Sequence, residues 1–149
     1  MKLTTLCYPV KDGQVLLAMK KRGFGTGKWN GPGGKVIEGE LVEEACRREV
    51  LEETGILVGK LEPRGIIEFV FEGKSEDGQE CHVFVTDDIR GEITETEEMK
   101  PQWFLLGEVP YQDMWEDDSI WLSGVLNGGR VNKRFYFDRE MKMLRNEDM

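Results

Sequence analysis

The chain has 149 residues, 20 of them basic and 29 acidic, for a formal net charge of −9. That length supports one domain with a sizeable core, so residues 1–149 are expected to form a single unit. So acidic a balance argues against a grip on duplex DNA or RNA, which calls for a basic patch. It does not argue against a single nucleotide whose phosphates reach carboxylates through a metal. Leu3–Val10 and Val15–Met19 are expected to be two strands joined by Lys11-Asp12-Gly13-Gln14, with Asp-Gly as the hairpin signal. A loop over 20–33 should follow, and then a helix over Glu40–Thr54, a stretch without Gly or Pro that Gly55 is placed to stop. Gly65–Phe71 and Cys81–Thr86 predict a second hairpin around Lys74-Ser75-Glu76-Asp77-Gly78, and Trp103–Leu106 a short apolar strand. Asp118–Leu126 predicts a second helix, N-capped by Asp117 or Asp118 and stopped at Asn127-Gly128-Gly129. Arg134–Asp138 is expected to be a closing strand and 146–149 a polar end that frays. The expected class is α/β, a mixed sheet with helices on both sides.

The only histidine, His82, lies in an alternating strand pattern and is expected to be a partner-satisfied sheet residue. Cys7, Cys46 and Cys81 are odd in number and widely spaced, so neither a disulfide framework nor a zinc site is indicated. No signal peptide and no apolar run of membrane-spanning length are seen. The expectation is a soluble cytoplasmic protein with no membrane partner, acting as a monomer.

The helix over 40–54 carries the chemistry. At about 100° per residue, Val42, Ala45 and Cys46 share one face, and Glu49, Glu52 and Glu53 continue it a turn further on. A merely solvated acidic face would lie opposite the apolar stripe; these carboxylates run along it and should therefore aim inward. Val50 and Leu51 fall off the stripe and imply a second packing surface. Three carboxylates on two turns repel each other and are costly to desolvate unless a cation joins them. Hard oxygen donors with room for water and phosphate suit Mg2+, with Mn2+ also possible. Arg48, four residues from both Glu44 and Glu52, can orient a ligand carboxylate.

The stretch from Gly34 to Ile56, GKVIEGELVEEACRREVLEETGI, fills every fixed position of G-x5-E-x7-R-E-U-x-E-E-x-G-U, where U is aliphatic, and so resembles the Nudix hydrolases. Two flanking segments sharpen the likeness: MKKRGFGTGKWNGPGGK over 19–35 and MKPQWFLLGEVPYQDMWEDDSIW over 99–121. With the box they look like the MutT-type oxidised purine nucleoside triphosphatases, above all the animal ones, from about Leu3 to about Asp138. The resemblance implies a Nudix fold, an α/β/α sandwich with a mixed central sheet. It also implies hydrolysis of a nucleoside triphosphate such as 8-oxo-dGTP or 2-oxo-dATP to the monophosphate and pyrophosphate.

By the same resemblance, the carbonyl of Gly34 and the carboxylates of Glu49, Glu52 and Glu53 hold the metal, and Glu53 activates the water. Glu98, on a loop like a carboxylate-bearing loop of the family, is a second candidate for base or ligand. Around the base the resemblance places Phe24, Asn30, Trp115 and Asp117-Asp118, with Thr5, Phe69 and Phe71 on neighbouring strands. The residue types fit: flat rings for stacking, an amide that donates and accepts at once, and acceptors for the N1–H and exocyclic amine of a guanine-like base. Taken singly, Trp115 could be core, Asp118 an N-cap, and Phe69 or Phe71 ordinary packing. Lys20, in the basic run Lys20-Lys21-Arg22, could meet the triphosphate or be a solvated charge. Departures from the relatives are Glu116 where the animal proteins have proline, the polar 74–80 turn, and Pro9, which is expected to interrupt the first strand. A Nudix enzyme for another substrate, such as a dinucleoside polyphosphate or an ordinary nucleotide, and a non-catalytic nucleotide-binding module are the alternatives. The second would show lost box glutamates, and none is lost.

Overall fold

A computed structural model describes all 149 residues. The chain runs β1 (Lys2–Lys11), β2 (Gln14–Lys20), β3 (Trp29–Asn30), α1 (Val42–Thr54), β4 (Leu57–Val58), β5 (Glu62–Phe71), β6 (Gln79–Thr86), β7 (Ile89–Arg90), β8 (Met99–Leu105), α2 (Asp118–Leu126), β9 (Val131–Phe137) and β10 (Met143–Asp148). The central sheet has eight strands, in the order β10-β9-β5-β6-β1-β2-β3 with β8 also paired to β2. The β1–β6 and β5–β9 pairs are parallel and the rest antiparallel, so the sheet is mixed as expected.

The two helices cover opposite faces. On one, Cys46 and Val50 of α1 join Cys7, Leu16 and Phe84 in a core of 7 buried residues. On the other, Trp121, Leu122 and Val125 of α2 join Tyr8, Ile67 and Phe135 in a core of 14. Burial of this apolar area is the dominant stabilising term. The larger core lies on the α2 side. No helix is long and apolar enough to cross a membrane.

Several expectations need correcting. The box helix begins at Val42 rather than Glu40, because the Glu40 carboxylate accepts the Ile37 N–H at 3.0 Å and closes a turn instead. Gly55 ends the helix as expected, at φ 86°, with its N–H donating to the Leu51 carbonyl at 2.9 Å. Leu51 does not pack; it is exposed, and Val50 alone reaches the core. Pro9 does not interrupt β1, which stays continuous to Lys11 in parallel register with β6. The C-terminus does not fray. Met143–Asp148 forms an edge strand on β9, and the Met149 N–H donates to the Asn132 carbonyl at 3.0 Å. Arg134 links Glu68 to Glu147 across this edge, at 2.8 and 2.9 Å. Asp117 stands at the N-cap of α2 as expected, but makes no side-chain cap hydrogen bond. His82 is satisfied as expected, with Nε2 2.8 Å from Glu80 Oε2. The three cysteines are buried free thiols.

Candidate active site

A cavity of about 380 Å³ opens over the sheet, lined by residues of β1, β2, β5, β6 and β9, a size that suits a small molecule. The box supplies one end, the α2 entry and the aromatic strands the other.

At the box end, glycines bring backbone and carboxylates together. A Cβ on Gly33 would meet the Thr5 carbonyl oxygen at 1.9 Å, and one on Gly34 would meet the Glu49 carboxyl carbon at 2.6 Å. No residue with a side chain could replace them without moving a neighbour. The Gly33 N–H donates to Glu53 Oε1 at 3.2 Å. The Gly34 carbonyl accepts from the Thr5 N–H at 2.9 Å, which still leaves it one lone pair for a ligand. Burial, then the neighbouring charge of Glu49, pushes the Glu53 carboxyl up to about 8 even though Gly33 N–H and Lys20 act the other way. Burial also raises Glu49, against the pull of Arg48. Two partly buried carboxylates held against their own ionisation, beside a glycine whose Cα carries nothing, make a hard-oxygen donor set that a divalent cation fits.

Arg48 organises this end differently from the expected i,i+4 scheme. Its guanidinium takes Glu40 in a two-pronged pair at 2.8 and 3.1 Å. It also donates to Glu49 at 2.8 Å, to the Lys35 carbonyl at 3.0 Å and to Glu52 at 3.3 Å. This geometry holds the Glu40 carboxyl below its ordinary value. Glu44 is not a partner of Arg48; it accepts the Leu41 N–H at 2.9 Å. The expectation that all three box carboxylates aim inward also needs correction. Glu52 is exposed beside Arg48, and no three acidic side chains are gathered closely enough to enclose an ion. Its position one turn from Glu49 but toward solvent, with a guanidinium to pair with, is the physical reason.

At the other end, Trp115 and Phe24 stack with ring centroids 5.6 Å apart, and the Lys28 ammonium lies 5.3 Å from the Trp115 ring. Phe24 is 66% exposed, so it forms the rim. Asn30 Oδ1 accepts the Gly31 N–H at 2.9 Å, which fixes the amide and leaves its NH2 group to donate into the cavity. Asp117 and Asp118 are buried, at 3% and 2% exposure. Asp117 Oδ2 accepts the Trp121 indole N–H at 2.8 Å. Burial lifts the Asp117 carboxyl to about 6, and burial together with Asp117 lifts Asp118 well above the usual range. Two buried neighbouring carboxyls share less than two charges. Asp117 holds the indole N–H, so of the two it is the one whose ionised form has a donor to support it. Asp118 Oδ2 and Thr5 Oγ1 have no protein partner, and both residues line the cavity.

The residues expected from sequence thus divide. Thr5, Lys20, Phe24, Asn30, Gly34 and Glu53 line the cavity, as do Phe69, Phe71, Trp115, Asp117 and Asp118. Arg48, Glu49 and Glu52 stand behind or beside the box end. Glu98 is exposed, and only its backbone is engaged, its carbonyl accepting the Lys21 N–H at 2.8 Å. Sequence reasoning missed Lys28, Lys35, Met99, Phe137 and Met141, which also line the wall. Phe137 was within reach, since it alternates with Phe135 on β9 and ring-stacks with Phe71 at 5.9 Å. Met141 sits in a tight turn at φ 65°, which no pattern announces.

Comparison with known proteins adds the lineage. The chain matches the NUDIX domain over residues 2–123. It is 48% identical over 136 residues to the oxidized purine nucleoside triphosphate hydrolase of Danio rerio, covering 91% of this chain and 86% of the relative. To the protein of the same name from Mus musculus it is 45% identical over 143 residues, covering 96% and 91%. A crystal structure of the MutT protein from Bacillus halodurans superposes with a TM-score of 0.88 at 32% identity, over 99% of this chain and 97% of that one. With a family match over most of its length and relatives this similar from end to end, the chain belongs to the Nudix hydrolases.

Proposed function

We propose that this enzyme hydrolyses oxidised purine (deoxy)nucleoside triphosphates, such as 8-oxo-dGTP or 2-oxo-dATP, to the monophosphate and pyrophosphate, and so cleans the nucleotide pool. The observation that carries this reading is that one cavity joins the box carboxylate Glu53 and the box glycine Gly34 to a pocket lined by two buried aspartates and by Trp115 and Phe24. The names of the similar fish and mouse proteins point to the same substrate class. Nudix hydrolases generally use divalent metal ions; Mg2+ is the working ion in this proposal, with Mn2+ as a substitute. The single domain, residues 1–149, acts as a cytoplasmic monomer.

Gly34, Glu49, Glu52 and Glu53 would hold the ion, with Glu52 turning in from Arg48. When bound, the ion neutralises triphosphate charge and lowers the pKa of a coordinated water. The residues do the rest. Lys20, beside Glu53 at the cavity mouth, meets the phosphates. Glu53 accepts the proton of the attacking water, and Glu98 is the second candidate for that task. Arg48 keeps Glu49 and the 34–40 turn in place. Trp115 and Phe24 hold the purine by stacking. Asn30 and Asp117-Asp118 read its polar edges, with protonated Asp118 as a donor to O6 and ionised Asp117 as an acceptor from N1–H. Thr5, Phe69 and Phe71 complete the walls.

The test is a panel of 8-oxo-dGTP, 2-oxo-dATP, dGTP, dATP and a dinucleoside polyphosphate, with phosphate and pyrophosphate both measured. Pyrophosphate release that is fastest with an oxidised purine and abolished by chelation is expected. Phosphate release, or a preference for the dinucleotide, would move the enzyme to another Nudix substrate class.

A further inference from the structure

Tyr8 is the largest fully buried residue of the protein, yet its hydroxyl has no protein partner. A buried hydroxyl left unpaired destabilises a fold, so its retention calls for an explanation. Its surroundings supply one. The ring packs closely against Gly31, where a Cβ would meet Cε1 at 2.6 Å and the hydroxyl-bearing carbon Cζ at 2.7 Å. Gly31 lines the cavity and follows Asn30. On the other side the ring meets Trp121 edge-on at 5.8 Å, and Trp121 is the donor to Asp117. Tyr8 is therefore wedged beneath the cavity floor, between the segment that carries Asn30 and the helix that carries Asp117 and Asp118. Asp118 Oδ2 is equally buried and equally unpaired.

We propose that Tyr8 is a positioning residue for base recognition, whose hydroxyl donates to the carboxyl oxygen of Asp118 when a purine fills the cavity. A neutral carboxyl offers one O–H donor and one free carbonyl oxygen. If the Tyr8 hydroxyl occupies the carbonyl oxygen, the O–H of Asp118 is turned to the base, and one donor pattern is presented to the bound purine. The other titratable groups facing Asp118 are Asp117 on its own segment, Cys81 on β6 and Tyr111 in the turn before α2. Asp117 already holds the Trp121 N–H, and Cys81 offers only a weak S–H. This inference rests on the purine reading of the cavity given above.

The test is Tyr8→Phe, which removes one oxygen and keeps the ring. The melting temperature of the free protein should hold or rise, because an unpaired buried hydroxyl is gone. KM for 8-oxo-dGTP should rise about tenfold with kcat within about twofold, the scale of one lost hydrogen bond. The alkaline limb of kcat, which reports the nucleotide-bound enzyme, should move to higher pH, since ionised Asp118 has lost a donor there. A variant with wild-type KM and wild-type pH profile overturns the proposal. A structure of the wild-type protein with 8-oxo-dGMP decides the matter if the variant does not fold. Tyr8 within hydrogen-bond reach of Asp118 is expected, and a hydroxyl still unpaired there overturns it. Loss of the purine reading itself looks different: the wild-type enzyme would then show no preference for 8-oxo-dGTP over dGTP.

Discussion

The two ends of the cavity are built on opposite plans. The box end is one contiguous segment, Gly34 to Ile56, in which helix period and glycine turn place Glu49, Glu53 and Arg48 with little help from elsewhere. The base end is drawn from six places: Thr5, the 24–31 loop, β5, β6, the entry to α2 and the β9–β10 turn. Burial is the largest cause of the raised carboxyls at both ends; at Glu53 it is reinforced by Glu49 and Glu52 on the same helix, and at Asp118 by its neighbour Asp117. Chemistry that recurs can be carried by a local motif, while recognition of one base depends on the whole fold. Substitutions at the first end should alter turnover for every substrate, and those at the second should alter which substrate is taken.

The largest expected effect is at the box end. Glu53→Gln keeps shape and removes the acceptor of the water proton, so kcat should fall roughly a hundredfold or more with all nucleotides, a loss typical of a catalytic electrostatic group. Circular dichroism should show the fold unchanged. Near-normal turnover of this variant at saturating Mg2+ would remove Glu53 from its role.

Next come the stacking residues. Trp115→Ala should raise KM for all purines alike by about ten- to a hundredfold, because stacking on an aromatic contributes roughly 1–3 kcal/mol and carries little base identity. Phe24→Ala should cost only about threefold, since a solvent-facing ring pair contributes near the low end of the aromatic range. Equal losses for the two variants would mean that the rim ring carries as much of the base as the wall.

The smallest effect is on stability. The folded protein holds the protons of Asp117 and Asp118 more tightly than the unfolded chain, where the ordinary value is 3.8. Stability from this pair is therefore fully present below about pH 4 and is lost as pH rises through about 6 and beyond. Thermal melts of the free protein across that range, compared with the same melts of Asp118→Asn, should show a flatter pH dependence in the variant. Parallel curves would place the protonated carboxyl elsewhere.

What was legible in the sequence follows the same division. The helix that Gly55 stops, the two hairpins, α2 and the roster of base-end residues could be read from turn chemistry, period and family likeness. Several misreadings involve interactions that helix period and turn chemistry do not encode. Glu52 was expected inward because helix period cannot see that Arg48, tied to Glu40 and Lys35, also takes Glu52 on the solvent side. Asp118 resembles an N-cap, but the packing of Trp121 and Tyr8 buries it instead. The polar end 146–149 reads as free because the pairing of Asp148 with Lys133 and of Glu147 with Arg134 is made across to the neighbouring strand. Phe137 enters the cavity from the end of β9 and Met141 from the β9–β10 turn, where Asp138 Oδ1 accepts two backbone N–H groups at 2.8 and 2.9 Å.

The claim that one cavity unites a general hydrolytic end with a base-selective end is tested most directly by kcat/KM for 8-oxo-dGTP, 2-oxo-dATP and dGTP in three proteins: wild type, Glu53→Gln and Asp118→Asn. The account predicts that Glu53→Gln lowers all three values by a common factor and preserves their ratios. Asp118→Asn should change the ratios while leaving the Mg2+ dependence as it was. Equal losses for all three nucleotides in Asp118→Asn, or altered ratios in Glu53→Gln, would contradict it.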